Sequence, residues 1–171
     1  MNTNINLLPK LDFAHNQFGV YDHSAEYPAL QWKDEHVLQG FIRRESQVAF
    51  CTLFGFGTAE ISIFFHACEE LQEYERVIAV PFHAPSGTIS VEGTEEYPIE
   101  RNFAVSPGHY RLTAAQYAVW EDEEEEDYEE AIHLYVELLT TPLKKSEILV
   151  ADDDLNPTFP LIESAEPLYV E

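Results

Sequence analysis

Positive charge is what this sequence has least of. Nine Lys and Arg stand against 32 Asp and Glu, a net charge of −23. Proteins that bind DNA or RNA directly place cations on the phosphates and release counterions, so this balance excludes direct nucleic-acid binding as an expectation. Cysteine is scarce too. Cys51 and Cys68 allow a single pair and no disulfide framework, and both fall in apolar runs, so they read as reduced, buried thiols. No stretch approaches the ~20 uninterrupted apolar residues that a membrane span requires. The opening MNTNINLLPKLDF has neither the basic start nor the long apolar run of a signal peptide, and the cytosol is the expected location.

Apolar and aromatic side chains, by contrast, are plentiful. With 45% hydrophobic residues, 11 Phe and 9 Tyr in 171 positions, the chain has the material for one core and is not a disordered acidic tail. Its charge is uneven: residues 1–120 hold 7 basic and 15 acidic groups, and residues 121–171 hold 2 and 17. The expected organisation is a loose N-terminal arm over residues 1–12, one domain over residues 13–139, and an acidic C-terminal extension over residues 140–171. That extension, with apolar clusters at Ile148–Val150, Phe159–Ile162 and Leu168–Val170, either packs on the domain or trails from it.

Apolar residues alternate with period two in eight segments: Phe13–Asp22, Gln47–Phe54, Ile61–Cys68, Val77–Phe82, Thr88–Glu92, Ile99–Val105, Tyr110–Trp120 and Ile132–Leu138. Gln47–Phe54 is apolar on both faces, which suits a central strand. Pro81 places part of its strand at an edge or bulge. Pro85-Ser86-Gly87 and Ser106-Pro107-Gly108 are turn sequences, and Tyr110 stands where its hydroxyl can return to nearby backbone. One short helix is expected after Asp34, where Val37, Leu38, Phe41 and Ile42 recur at helical spacing, weakened at Gly40 by ~1 kcal/mol. The segments predict an all-β, mainly antiparallel sandwich of about eight strands with one short helix.

Few constellations carry chemistry. His66 and Cys68 lie two apart on one strand face, as at the start of a zinc site, but His83, His109 and His133 follow no metal spacing. Gly55-Phe56-Gly57 reads as a turn, because no suitable helix follows it to cradle a phosphate. There is no nucleophile elbow and no reactive-cysteine signature, and any two of 32 carboxylates pair on paper for acid–base work. The chain is therefore expected to have no catalytic residues, no metal and no cofactor, and not to be an enzyme.

The acidic run has more content. Glu121, Asp122, Glu123, Glu124, Glu125, Glu126 and Asp127 are seven consecutive like charges, and Glu129 and Glu130 follow Tyr128. Mutual repulsion opposes burial, so the run is expected as a protruding, mobile loop between two strands. It is either a solubility loop or a patch that mimics the phosphates of a nucleic acid and engages Lys and Arg in a nuclease cleft.

Several blocks bear on that choice: FAHNQFGVYD, WKDE with the downstream Gly40, IAVPFHAPSGTISVEG and VSPGHYRLTAAQYAVW. In order and spacing, from Phe13 to Leu138, they resemble the competence protein J family, inhibitors of the DNA-entry nuclease. The resemblance implies a non-catalytic protein that binds and suppresses a sequence-nonspecific, basic nuclease, and it carries over no residue-level binding motif. The expected contact is the acidic patch from Glu121 to Asp127 with Glu129 and Glu130. Two alternatives stand beside this reading. One is an immunity protein against a nuclease toxin; the other is a sandwich that binds carbohydrate or a small ligand on Trp32, Trp120 and tyrosines. The sequence leaves oligomeric state open.

Overall fold

Alternating apolar positions can bury one face of each strand only if two sheets meet, and they do. The structure, a computed structural model, describes residues 5–26, 28–95 and 99–168, with backbone alone for Ile5 and Asn6. Among the described residues there are eleven strands: β1 (Ile5–Phe13), β2 (Gln17–Asp22), β3 (Phe41–Arg44), β4 (Gln47–Cys51), β5 (Gly57–Phe64), β6 (Arg76–Ala84), β7 (Thr88–Glu92), β8 (Asn102–Ala104), β9 (Gly108–Asp122), β10 (Asp127–Leu139) and β11 (Glu147–Val150). One helix, α1 (Asp34–Gln39), and a 3-10 turn at Leu71–Glu73 complete the elements. Six strands lie in the order β1-β5-β10-β9-β6-β11 and five in the order β3-β4-β2-β7-β8. All pairings are antiparallel except β5 with β10, which is parallel. The chain is an all-β sandwich.

Between the sheets, Ile61, Ile63, Ile78, Val80, Leu112, Ile132 and Leu134 pack with Phe18, Val20, Val48, Phe50 and Ile89 in one core. Each such side chain contributes about 1.5–3 kcal/mol when fully buried. Tyr110 Oη donates to Ser106 O at 2.5 Å, fastening the turn into β9 as expected. Pro81 lies beyond the part of β6 that β11 covers, Val77–Ala79, so its missing N–H faces no strand partner on that side.

Eight of the strands fall on the eight expected segments, and β1, β3 and β11 are additional. The arm expected over residues 1–12 is, from Ile5 onward, an edge strand paired with β5; residues 1–4 lie outside the described residues. An irregularity between Leu8 and Leu11 breaks its alternation, which is why Leu8, Leu11 and Phe13 are buried at spacings that do not read as period two. FAHNQFGVYD is likewise two strands, because His15 and Asn16 both turn the chain at φ 58°. Helix α1 stops at Gly40 (φ 87°), and Phe41 and Ile42 pass to β3. The helix buries His36 and Gln39, while Val37 and Leu38, the expected apolar face, are exposed. The sixth expected segment shrinks to Asn102–Ala104, because Arg101 turns inward to Pro9 O, Lys10 O and Glu95.

The chain after Thr140 forms β11 and then crosses to the other sheet. Gln39 exchanges hydrogen bonds with Ile162, donating to its carbonyl at 3.0 Å and accepting from its N–H at 2.9 Å. Arg43 donates to Glu163 O at 2.7 Å and to Pro81 O at 3.0 Å. Arg43 thus ties β3 directly to β6 of the other sheet and, with Gln39 of α1, holds the extension against them. The expected cluster Leu168–Val170 falls outside the described residues from Tyr169 onward.

Candidate partner-binding hairpin

β9 and β10 pair along their whole length, from Asp122 opposite Asp127 to His109 opposite Leu139. Their neighbours stop short. β6 reaches Gln116 of β9 and no further towards the turn, and β5 reaches Glu129 of β10. The two strands therefore run on past the sheet as a projecting hairpin. The loop expected over the acidic run is corrected here: Glu121 and Asp122 belong to β9, Asp127, Glu129 and Glu130 to β10, and Glu123–Glu126 form the turn. Pairing satisfies the backbone groups while carboxylates on an unpacked ribbon stay in water, so repulsion does not prevent strand formation. Asp122 Oδ1 accepts the N–H groups of Glu124 at 3.1 Å and Glu125 at 3.2 Å, and Glu126 completes the turn at φ 52°.

Two of the expected patch residues are engaged elsewhere. Glu129 accepts from Lys10 Nζ at 2.9 Å, tying the hairpin to β1. Glu130 is fully buried: its Oε2 accepts the N–H groups of Leu53 at 2.9 Å and Phe54 at 3.3 Å, and its Oε1 accepts from Gln116 Nε2 at 3.0 Å. Gln116 also donates to Cys51 O at 3.1 Å. Opposite Gln116 on β6, the buried Arg76 donates to Cys51 O at 3.0 Å and makes a two-point contact with Asp152 at 3.0 and 2.9 Å. Burial pushes the Glu130 carboxyl up to about 7, against the pull of Gln116, the two backbone N–H groups and Arg76. Glu130 is thus the root of the hairpin and no part of its exposed charge.

The hairpin has aromatic surroundings that the sequence reading passed over. Tyr128 packs on Phe54 at 4.9 Å and, edge-on, on Phe56 at 5.3 Å between ring centroids. Gly57 (φ 148°) lets the chain pass directly beneath Tyr128 O, where any Cβ would collide. The register shifts where Glu129 opposes Trp120 and Glu130 opposes Ala118, leaving Val119 as the extra residue of a bulge. Val119 and Trp120 are exposed.

Other candidate groups lie apart from the hairpin tip. On the outer face of the six-stranded sheet, Tyr74 Oη meets His133 Nδ1 at 2.8 Å and Tyr135 Oη at 2.5 Å, within a cluster that includes Phe64 and Tyr117. Burial raises the Tyr74 hydroxyl and lowers His133, so both are neutral packing groups at neutral pH. His66 turns to Ala67 O at 2.9 Å, and the Cys51 thiol is pushed by burial up to about 11. Among the described residues, no three His, Cys, Asp or Glu side chains converge as metal ligands would. Trp32 lines a cleft of about 590 Å³ on the five-stranded sheet with Gln17, Gln47 and Glu92. Trp120 stands on the hairpin of the other sheet, so the two tryptophans form no common platform.

This geometry has known relatives. The family model for competence protein J (ComJ) matches residues 10–137, three quarters of the chain, including β9 and all but the last two residues of β10. The DNA-entry nuclease inhibitor of Bacillus subtilis (strain 168) is 25% identical over 104 residues, covering 61% of this chain and 76% of that protein. The crystal structure of ComJ from Bacillus subtilis, described as an inhibitor of the DNA-degrading activity of NucA, superposes with a TM-score of 0.65 at 19% identity, covering 81% of this chain and all of that one. A crocagin biosynthesis protein aligns at 17% identity and a TM-score of 0.47 over 79% of this chain and 98% of its own. With its sandwich, its hairpin and this family match, the chain belongs to the competence protein J (ComJ) family.

Proposed function

We propose that this protein is a non-catalytic inhibitor of a DNA-degrading nuclease, and that it acts by presenting the β9–β10 hairpin to the basic cleft in which the nuclease holds DNA. One observation carries the reading. Seven consecutive carboxylates, Glu121 to Asp127, sit on a hairpin that projects beyond its sheet and is anchored at its root by Glu130 and Gln116. With Glu121 and Asp122 ending β9, Glu123 to Glu126 in the turn and Asp127 opening β10, the tip gathers negative charge at one end of the hairpin, where it faces cationic side chains. Such a surface raises the association rate with a basic partner and competes with phosphates for the same groups. The family match supports the nuclease as the class of partner.

The test is a DNA-degradation assay in which purified protein is titrated against its cognate nuclease and against an unrelated one. Stoichiometric loss of activity of the cognate enzyme alone is the expected result. Undiminished degradation by the cognate nuclease at a several-fold molar excess of protein would overturn the reading.

A further inference from the structure

Strand alternation places successive cross-strand pairs of a hairpin on opposite faces. Glu121–Tyr128 and Trp120–Glu129 are successive pairs. Tyr128 faces the loop that carries Phe54 and Phe56, on which its ring packs, so Trp120 stands on the other face. Each face thus ends in a large apolar side chain in water: Phe56 is 45% exposed on one, and Trp120 is 54% exposed on the other beside Val119 at 51%. Single exposed apolar residues are ordinary, but Val119 and Trp120 stand on the hairpin itself and Phe56 on the β4–β5 loop packed against it through Tyr128, beside a tip that is otherwise carboxylate. The bulge at Val119 sits directly before Trp120, and bulges re-aim the side chains around them.

We propose that the hairpin, together with the β4–β5 loop packed on its Tyr128 face, is a two-faced wedge, which enters a cleft of a basic protein with Trp120 against one wall and Phe56 of that loop against the other while the tip carboxylates meet cations. This rests on the inhibitor reading above and assigns the contacts within it. Charge complementarity fixes the occupant. A second copy of this chain, at a net charge of −23, is repelled by the tip, and so is nucleic acid. The wedge also divides the labour between residue types. Exposed charges act over a Debye length of about 8 Å at physiological salt and set the association rate. Aromatic side chains desolvated in the complex set the dissociation rate.

The experiment measures association and dissociation rates with the cognate nuclease for the wild type, W120A, F56A and a variant with Glu123 to Glu126 all changed to Gln. The thermal midpoint of each variant is recorded alongside, since both aromatic residues are half exposed and their truncation leaves the core intact. W120A and F56A are each expected to speed dissociation at least ~10-fold with little change in association. The quadruple Gln variant is expected to slow association and flatten its salt dependence, with dissociation nearly unchanged. If F56A dissociates like the wild type while W120A does not, the hairpin is engaged on one face and the wedge is wrong. If neither truncation matters, the aromatic contact itself is wrong. Wild-type protein that fails to bind the nuclease at all overturns the inhibitor reading, and the wedge with it.

Discussion

Gln116 Nε2 donates to Glu130 Oε1 at 3.0 Å in a region where neither side chain touches water. The hairpin thus grows from a buried polar root, and the root has a pH dependence of its own. The Glu130 carboxyl is raised by burial from 4.5 to about 7. Between those values the folded protein holds a proton that the unfolded chain has released, so this group's contribution is fully present below about pH 4.5 and is lost as pH rises through about 7. At ~1.4 kcal/mol per pH unit, the loss is about 3 kcal/mol. Urea denaturation at about pH 5 and about pH 8 should show wild-type stability falling, and E130Q should show a markedly smaller fall. An equal fall in both proteins would mean that Glu130 is ionised in the fold throughout.

Arg76 is nearly inaccessible and holds Cys51 O, Thr52 O and the Asp152 carboxylate together. Removing the anion leaves a buried guanidinium without its counter-charge, which typically costs about 3–5 kcal/mol. D152A is therefore expected to lower the denaturation midpoint strongly. The double variant R76M/D152A should recover part of the loss, because it removes the stranded charge as well.

Gly57 has a backbone that L-residues rarely adopt, and a Cβ there would fall inside contact distance of Tyr128 O. G57A is expected to destabilise the fold by about 2 kcal/mol or more, with the hairpin bearing the distortion. Amide exchange in residues 118–129 should accelerate ahead of exchange in β4 and β6. Uniform acceleration across both sheets would show that the hairpin has no separate dependence on this close approach.

Glu126 sits at φ 52° in a turn of like charges, a conformation that costs a non-glycine residue about 1 kcal/mol. E126G should raise stability by up to ~1 kcal/mol through relief of that backbone and of one repulsion. A rise in thermal midpoint with unchanged strand content by circular dichroism is the expected outcome, and a fall would place an unrecognised contact at Glu126.

Some of this was legible in the chain. Strand alternation located eight strands, Pro81 marked the uncovered part of β6, and Ser106-Pro107-Gly108 with Tyr110 gave the turn and its hydroxyl bond. The parallel pairing of β5 with β10 was not legible, since it joins residues some seventy positions apart and no local pattern records it. Strand β1 was hidden because its irregularity breaks the period that would announce it. The buried root, however, left a signal. Glu130 is in phase with Ile132, Leu134 and Val136, Gln116 with Leu112 and Ala114, and Arg76 with Ile78 and Val80, each one step beyond an inward apolar file. A polar residue that continues an inward file is a candidate buried partner, and three such files end together here. At Trp120 the same period would point inward with Leu112 and Ala114, but the bulge at Val119 breaks that phase before Trp120 is reached and leaves it exposed, and no local pattern marks the bulge.

The measurement that bears most directly on the proposed mechanism is competition between this protein and DNA for the nuclease. A labelled DNA fragment is bound to the cognate nuclease under conditions that prevent cleavage, and its fluorescence anisotropy is followed as the protein is added. Occupation of the DNA cleft by the acidic hairpin requires the anisotropy to fall to that of free DNA at about one equivalent, and the variant with Glu123 to Glu126 changed to Gln to need more protein for the same fall. Cognate nuclease that is inhibited while its labelled DNA remains bound would contradict that mechanism and place the contact away from the cleft.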